Sequence, residues 1–168
     1  MSDLRGSGSV RSTVRRRKPL KRLLVAAALL AFSIPLGHAS DDDLVIKSSR
    51  SSVFETVEKL VAAIEQAGAK VFATVDHAAG AKAVGSNIEP TVLVIFGNPR
   101  IGTPIIESDR RAGLDLPVRV LIWEEDGVTR IGYENPQSLR IRYGIEGAEE
   151  SFSAMSDALE KLTAAASQ

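Results

Sequence analysis

The stretch Val118–Glu134 reads VRVLIWEEDGVTRIGYE and decides the fold of this 168-residue chain. Two runs rich in β-branched and aromatic residues, Val118 to Glu124 and Val128 to Glu134, flank the pair Asp126-Gly127. An Asp-Gly pair between such runs is typical of a two-residue hairpin turn, because both turn positions need a positive φ that this pair tolerates. The stretch therefore predicts two antiparallel strands joined at Asp126-Gly127.

The hairpin also predicts which side chains share a face of the sheet. With a two-residue loop, Ile122 faces Ile131 and Trp123 faces Arg130, and facing pairs lie on the same side. Trp123 and Arg130 then form either a cation–π pair or the anchor of an interface. One side of the hairpin is expected to carry Val120, Ile122, Ile131 and Tyr133, and the other Leu121, Trp123, Arg130 and the bare backbone of Gly132.

Outward from the hairpin, hydrophobic alternation predicts three more strands. They span Leu44 to Ser48, Val71 to Asp76, and Val92 to Phe96 after Pro90. The last of these is apolar on both faces, so we expect it to be a central strand that is covered on both sides.

Helical periodicity predicts two long helices and two short ones. Ser52 and Glu55 form a capping box that starts the first long helix, and Gly68 ends it. Short helical pieces are expected at residues 77–84 and 139–143. The second long helix closes the chain with an apolar stripe of Phe152, Met155, Leu159 and Leu162. The single core is expected to contain Val57, Leu60, Val61, Ile64, Val92, Val94, Ile122, Ile131, Phe152, Leu159 and Leu162.

The order of these elements is strand, helix, four strands and helix. With one hairpin in the middle, this order predicts an α+β fold with a mostly antiparallel sheet and both long helices on one face.

The first 39 residues have the features of a cleaved export signal. A basic segment up to Arg22 is followed by an apolar run from Leu23 to Leu36, which is shorter than the roughly 20 residues of a membrane-spanning helix. Gly37 and Ala39 place small side chains where a signal peptidase cuts, so we expect cleavage after Ala39. Residues 40–43 are then a flexible acidic start, and residues 44–168 a single domain in the periplasm or outside the cell, without a stable membrane anchor.

Two export routes remain open. The run Arg16-Arg17-Lys18-Pro19-Leu20-Lys21 resembles a twin-arginine signal, with Pro19 in place of the usual Phe. The general secretory route with an unusually basic leader is the alternative.

Removal of the leader changes the charge of the protein. Eight of the 21 basic residues and one of the 21 acidic residues precede Ser40, so the mature chain carries 13 basic and 20 acidic residues. An acidic balance argues against binding to nucleic acid or to an anionic membrane surface. The chain has no cysteine, which excludes disulfides, thiol nucleophiles and thiolate metal sites.

Two short motifs are candidates for chemistry. Asp76 and His77 lie where a strand gives way to a helix; they are either a proton-transfer pair or an ordinary N-cap and its neighbour. His77 is the one histidine of the mature chain, which is a poor basis for a metal site, and no cofactor is expected.

A long segment from Gly97 to Asp115 holds three glycines and two prolines without a sustained period, which predicts a functional loop with at most one helical turn near residues 105–112. Asn98, Arg100 and Thr103 are its candidate ligand-binding residues, because glycines permit close backbone approach and Arg100 can meet a carboxylate or phosphate. The alternative is that Asn98-Pro99 forms a plain turn.

Three stretches together resemble the bacterial and archaeal domain-of-unknown-function family numbered 302. They are VFATVDHAAGA at residues 71–81, FGNP at 96–99 with GTP at 102–104, and GLDLP at 113–117 with the strand that follows. The resemblance runs from about Leu44 to the C-terminus. It implies a fold similar to the TATA-binding protein, often dimeric, and it implies no activity and no DNA binding.

Three functional classes follow, in decreasing order of support. The first is a non-catalytic envelope module that binds a small molecule or a protein partner through its sheet face and the 97–115 loop. The second is a small acid–base enzyme that uses Asp76 and His77 with Asn98 and Thr103, all around one pocket. The third is metal handling through His77 and carboxylates.

A homodimer is also expected. If the two long helices cover one face of the sheet, the other face exposes an apolar patch that a second copy would cover. The alternative covers are the loop from Gly97 to Asp115 or a ligand. Arg119 would join Arg130 in the polar rim of the dimer interface. The residues expected in this interface are Leu93, Ile95, Leu121, Trp123 and Arg130.

Overall fold

The computed structural model describes residues 43–168, so the predicted signal peptide and residues 40–42 lie outside the described residues. One sheet has the strand order β1-β5-β4-β3-β2, and all neighbouring strands are antiparallel. Its strands are β1 (Leu44–Ser48), β2 (Lys70–Asp76), β3 (Thr91–Gly97), β4 (Val118–Glu125) and β5 (Val128–Glu134). The helices are α1 (Val53–Gln66), α2 (His77–Ala83), α3 (Pro99–Ser108), α4 (Pro136–Tyr143) and α5 (Glu149–Ala166), with a short 3-10 helix at Arg110–Leu114. The predicted α+β class is confirmed.

The hairpin turn has the geometry that its sequence predicts. Asp126 has a φ of 52° and Gly127 a φ of 74°, both in the left-handed region. Ile122 pairs with Ile131 and Trp123 with Arg130, so the predicted register of β4 and β5 is confirmed.

The first long helix begins at its predicted cap. Ser52 Oγ accepts a hydrogen bond from the Glu55 backbone N–H at 3.4 Å, and a Glu55 carboxylate oxygen accepts one from the Ser52 N–H at 3.0 Å. Gly68, with a φ of 71°, lets the chain leave the helix towards β2.

One hydrophobic core lies between the sheet and the helices α1 and α5, which pack against each other. Leu60 and Ile64 of α1 are fully buried, as are Val94, Ile122 and Ile131 of the sheet. The predicted core is confirmed, with Val57 and Val61 only half-buried at its margin. The inward faces of β3, β4 and β5 are thus covered by helices.

Strand β2 contains an irregularity that its alternating sequence hides. Val71 pairs with Phe96, but Ala73 pairs with Ile95, so Phe72 is an extra residue in the strand. Side chains after the bulge therefore change sides, and Val75 lies on the outward face of the sheet. Phe72 itself is half-exposed at the end of the sheet.

The segment 97–115 is not the loop that was predicted. It contains α3 and the 3-10 helix, even though Pro104 lies inside α3. Asn98 caps α3 and Pro99 stands at its first position, where a missing N–H costs nothing. Pro104 removes one backbone hydrogen bond of the helix, and the packing of the fully buried Ile105 offsets that loss.

Two smaller predictions also need correction. Asp43, expected in a flexible start, is held: its carboxylate accepts a hydrogen bond from Ser138 Oγ at 2.6 Å, and its carbonyl accepts one from the Asn135 N–H. Arg130 makes no cation–π contact with Trp123; its guanidinium donates to Ser48 Oγ at 2.8 Å and pairs with Glu125 at 3.4 Å.

The outward face of the sheet carries the residues expected in an interface. Leu93, Ile95, Leu121, Trp123 and Arg130 are half-buried there. Ile46, which pairs with Gly132 on the same face, is 54% exposed, and Val75 is 39% exposed. Among the described residues, this face is therefore less covered than the inward face.

Candidate ligand-binding cleft

A cleft of about 320 Å³ opens at the end of the sheet where β3 finishes and β4 starts. Helices α3 and α5 form two of its walls, the connection from α1 to β2 forms another, and Leu116-Pro117 completes it. The volume is at the lower end of that of small-molecule sites. The bulge matters here, because the ring of the extra residue Phe72 lines the cleft.

The lining of the cleft is almost entirely apolar. None of its residues has an ionisable side chain, and Asn98 and Thr103 are the two polar ones. The lining residues are Ala67, Ala69, Phe72, Phe96, Gly97, Asn98, Pro99, Ile101, Gly102, Thr103, Ile106, Leu116, Pro117, Val118, Met155, Ala158, Leu159 and Leu162.

The end of β3 allows a close approach of backbone at the cleft. A Cβ on Gly97 would lie 3.3 Å from Pro117 Cβ and 3.8 Å from the Phe72 ring. Asn98 follows, and its side-chain oxygen accepts a hydrogen bond from the Arg100 N–H at 3.0 Å, which caps α3. Asn98 thus caps α3 and also lines the cleft.

A polar network holds the wall that contains Leu116. The neighbouring Asp115 carboxylate accepts hydrogen bonds from Tyr143 Oη at 2.7 Å and from the guanidinium groups of Arg119 and Arg142, both at 2.8 Å. Burial acts to raise the pKa of Asp115, but the hydrogen bonds from Tyr143 and Arg142 outweigh it and hold that pKa below the ordinary 3.8. Since Arg142 also pairs with Glu134 of β5, the network ties this wall to α4 and the sheet.

The structure does not bring the five sequence-predicted site residues into one pocket. Asp76 pairs with Val92 at the start of β3, whereas Gly97 at its end pairs with Lys70. Roughly 20 Å of strand therefore separates Asp76 and His77 from the cleft. The prediction of a shared pocket was wrong, because the carboxyl ends of neighbouring antiparallel strands lie at opposite ends of the sheet.

Asp76 has a clear structural role instead. Its carboxylate accepts a hydrogen bond from the Ala79 N–H at 2.8 Å and caps α2. His77 is exposed in the first turn of that helix. Asn98 and Thr103 do line the cleft, and Arg100 stands between the lining residues Pro99 and Ile101.

Comparison with known proteins identifies the family. The model described as "Domain of unknown function DUF302" matches residues 45–162. The chain belongs to this family. A crystal structure of an uncharacterized conserved DUF302 protein from Bacillus stearothermophilus covers 73% of this chain and 97% of that one, with a TM-score of 0.67 and 19% identity. At that identity the likeness concerns the fold alone, and it supports the α+β arrangement described above.

Curated relatives carry a different name. The chain is 42% identical over 112 residues to fluoride-specific ion channel FluC 1 of Brucella suis biovar 1 (strain 1330) and to that of Brucella abortus biovar 1 (strain 9-941). The match covers 66% of this chain but only 44% and 42% of those proteins. The DUF302 chain thus spans less than half the length of the curated relatives it matches.

Two features of residues 43–168 concern membranes and metal ions. No helix within residues 43–168 is long and apolar enough to cross a membrane. In the same part of the chain, no group of three or more histidine, aspartate and glutamate side chains is arranged to hold a metal ion.

Several residues that line the cleft were not predicted from the sequence as ligand-binding residues. Met155 and Ala158 were assigned to a helix, without a sign that α3 would leave a gap beside them. Phe72 was counted as one more strand residue. The available signal was the set of motifs FGNP, GTP and GLDLP, each of which contributes residues to the cleft. The rest of the apolar lining could be found only from the tertiary structure.

Proposed function

We propose that this DUF302 domain is a non-catalytic module that binds a small, largely apolar molecule in the cleft between α3 and α5. The observation that carries the proposal is an apolar cleft of about 320 Å³ without one ionisable lining side chain. Burial of apolar surface would drive the binding, and Asn98 and Thr103 would orient the ligand. The proposal retains the segment 97–115 as a binding element, now as a helix wall.

The same lining argues against an enzyme at this place. General acid–base catalysis needs a titratable group within hydrogen-bond reach of the substrate, about 2.6–3.2 Å. The acid–base pair that the sequence suggested, Asp76 and His77, lies at the other end of β2. A binding role therefore needs fewer assumptions than the acid–base alternative.

Binding of the neutral dye Nile red tests the proposal. We expect its fluorescence to rise and shift to the blue when it enters the cleft, and 1-decanol to displace it. At one hundred times its dissociation constant, 1-decanol should add about 2.7 kcal/mol to the free energy of unfolding.

Two alanines of α5 provide a matched pair of variants. Ala158 lines the cleft, whereas Ala165 is exposed on the same helix. Ala158→Phe should fill the cleft and weaken dye binding at least tenfold, and Ala165→Phe should leave it unchanged. Equal effects of the two substitutions, or no binding by the wild-type domain, would remove the proposal.

The Brucella relatives motivate a second candidate function. Those proteins are named as fluoride-specific ion channels, and the match covers less than half of them. Since only 42 residues precede the described part, most of the matched positions belong to this domain, in which no helix can span a membrane. We infer that the domain serves as an extramembrane module beside a membrane transport protein.

Thermal unfolding in fluoride tests whether the module beside the transport protein itself binds that ion. A module that responds to fluoride directly should show a higher melting temperature in sodium fluoride than in equal sodium chloride. A module that only binds an apolar molecule should melt at the same temperature in both salts. We also propose that the domain acts in the cell envelope, as residues 1–39 lead us to expect.

A further inference from the structure

We propose that the ligand of the cleft is an anionic amphiphile with a single alkyl chain. Its chain would lie in the apolar cleft, and its headgroup would stay at the mouth beside Lys70 and Arg100. This inference rests on the proposed function and adds the chemical class of the ligand.

The first observation is the position of Lys70. Its ammonium group lies 5.3 Å from the centre of the Phe72 ring, and that ring lines the cleft. Lys70 also pairs with Gly97, another lining residue, across β2 and β3. A positive charge is thus fixed beside the wall of a cleft that has no charge inside it.

The second observation is Arg100 on the neighbouring helix. Its two neighbours in the chain, Pro99 and Ile101, both line the cleft, while Arg100 is exposed. Its backbone N–H is already used in the cap with Asn98, so the guanidinium is the part that can meet a ligand. Guanidinium groups bind carboxylate and phosphate oxygens in a bidentate manner.

Neither cation has an acidic partner among the described residues. Lys47, Arg111, Arg119, Arg130, Arg140 and Arg142 each form an ion pair, but Lys70 and Arg100 form none. Arg50, Lys59, Lys82, Arg110 and Lys161 also form no ion pair among the described residues, so the position of Lys70 and Arg100 beside the cleft is what distinguishes them. Two cations beside the mouth would attract an anionic headgroup and repel a cationic one.

Three ligands of equal chain length test this inference: decanoate, 1-decanol and decyltrimethylammonium. Exposed charge pairs stabilise weakly. We therefore expect Lys70 and Arg100 together to raise the affinity for decanoate roughly threefold to tenfold over its affinity without them. The double variant Lys70→Glu, Arg100→Glu should weaken decanoate by that factor and change 1-decanol less than twofold. Retained decanol binding shows that the variant is folded.

Lys82→Glu is the matched control. Lys82 is exposed on α2, has no acidic partner among the described residues, and lies beyond the opposite end of β2. This substitution should leave all three affinities unchanged. Decyl phosphate is a further arm, and the tighter of the two anions identifies the headgroup as carboxylate or phosphate.

The outcomes distinguish this inference from the function on which it rests. If decanol binds while decanoate affinity is unchanged in the double variant, the anionic headgroup is wrong and the apolar cleft stands. If decyltrimethylammonium binds as tightly as decanoate, the inference is also overturned. If none of the ligands binds, the proposed function itself fails.

Discussion

The indole ring of Trp123 lies against the backbone of Gly132 on the neighbouring strand. A Cβ on Gly132 would come within 2.8 Å of Trp123 Cζ3 and 3.0 Å of its Cη2. Since Gly132 pairs with Leu121 and Trp123 pairs with Arg130, the ring reaches diagonally across the hairpin. The ring of the chain's one tryptophan therefore packs on the backbone of Gly132, on the face of the sheet where the sequence predicted that glycine.

The first prediction concerns this contact. Gly132→Ala should cost roughly 1–3 kcal/mol, because the added methyl overpacks the contact or displaces the ring. Tryptophan emission should shift to the red as the indole moves into water. Urea unfolding followed by fluorescence measures both effects. Gly80→Ala in α2, where a Cβ meets nothing within 4 Å, is the control and should lose no stability.

Leu60→Ala tests the core. Leu60 is fully buried between α1 and the rest of the core, so we expect a loss of about 2–5 kcal/mol in the free energy of unfolding. The exposed Glu58→Ala on the same helix should change it by less than about 0.5 kcal/mol. Similar losses from the two substitutions would contradict the packing described here.

Asp115 should make stability depend on pH in acid. Because its pKa in the folded state lies below the ordinary 3.8, its contribution is fully present above that value and is lost as pH falls through the folded pKa. Asp115→Asn should cost about 1–3 kcal/mol at pH 7 and much less at about pH 2.5. Denaturant titrations at both pH values measure this, with Asp157→Asn as the exposed control. An equal cost at both values would contradict the prediction.

Self-association through the outward face of the sheet stays a prediction. Ile46, exposed on β1, is a suitable site for the test, because its replacement leaves the contact between Trp123 and Gly132 intact. We expect light scattering at micromolar concentration to give the mass of a dimer for the wild-type domain. The Ile46→Glu variant should have the mass of a monomer. Val84→Glu, at a site 82% exposed and outside the sheet, should leave the dimer intact. A monomeric wild-type domain would rule out this interface.

Processing of the leader is the last prediction. The protein recovered from the cell envelope should begin at or near Ser40, which N-terminal sequencing determines. Replacement of Arg16 and Arg17 by Lys should block export if the twin-arginine route is used and leave it unchanged if the secretory route is used. A recovered chain that starts upstream of Leu23 would contradict cleavage.

The sequence alone was sufficient for the α+β class, the hairpin and the cap of α1, and it gave the cap of α2 as one of two interpretations of Asp76. These features depend on residues close together in the chain: Asp126 with Gly127, Ser52 with Glu55, and the carboxylate of Asp76 with the next turn. The separation of Asp76 from Asn98 was also within reach, since it follows from the antiparallel pairing that the sequence predicted.

The tertiary structure alone decided the cleft. Segment 97–115 is helical because Ile105 is buried in the core, a contact that outweighs the poor helix propensity of its glycines and Pro104. Phe72 lines the cleft because β2 must bulge to keep pairing with β3. Both outcomes depend on contacts between residues far apart in the chain, and local periodicity carries no information about such contacts.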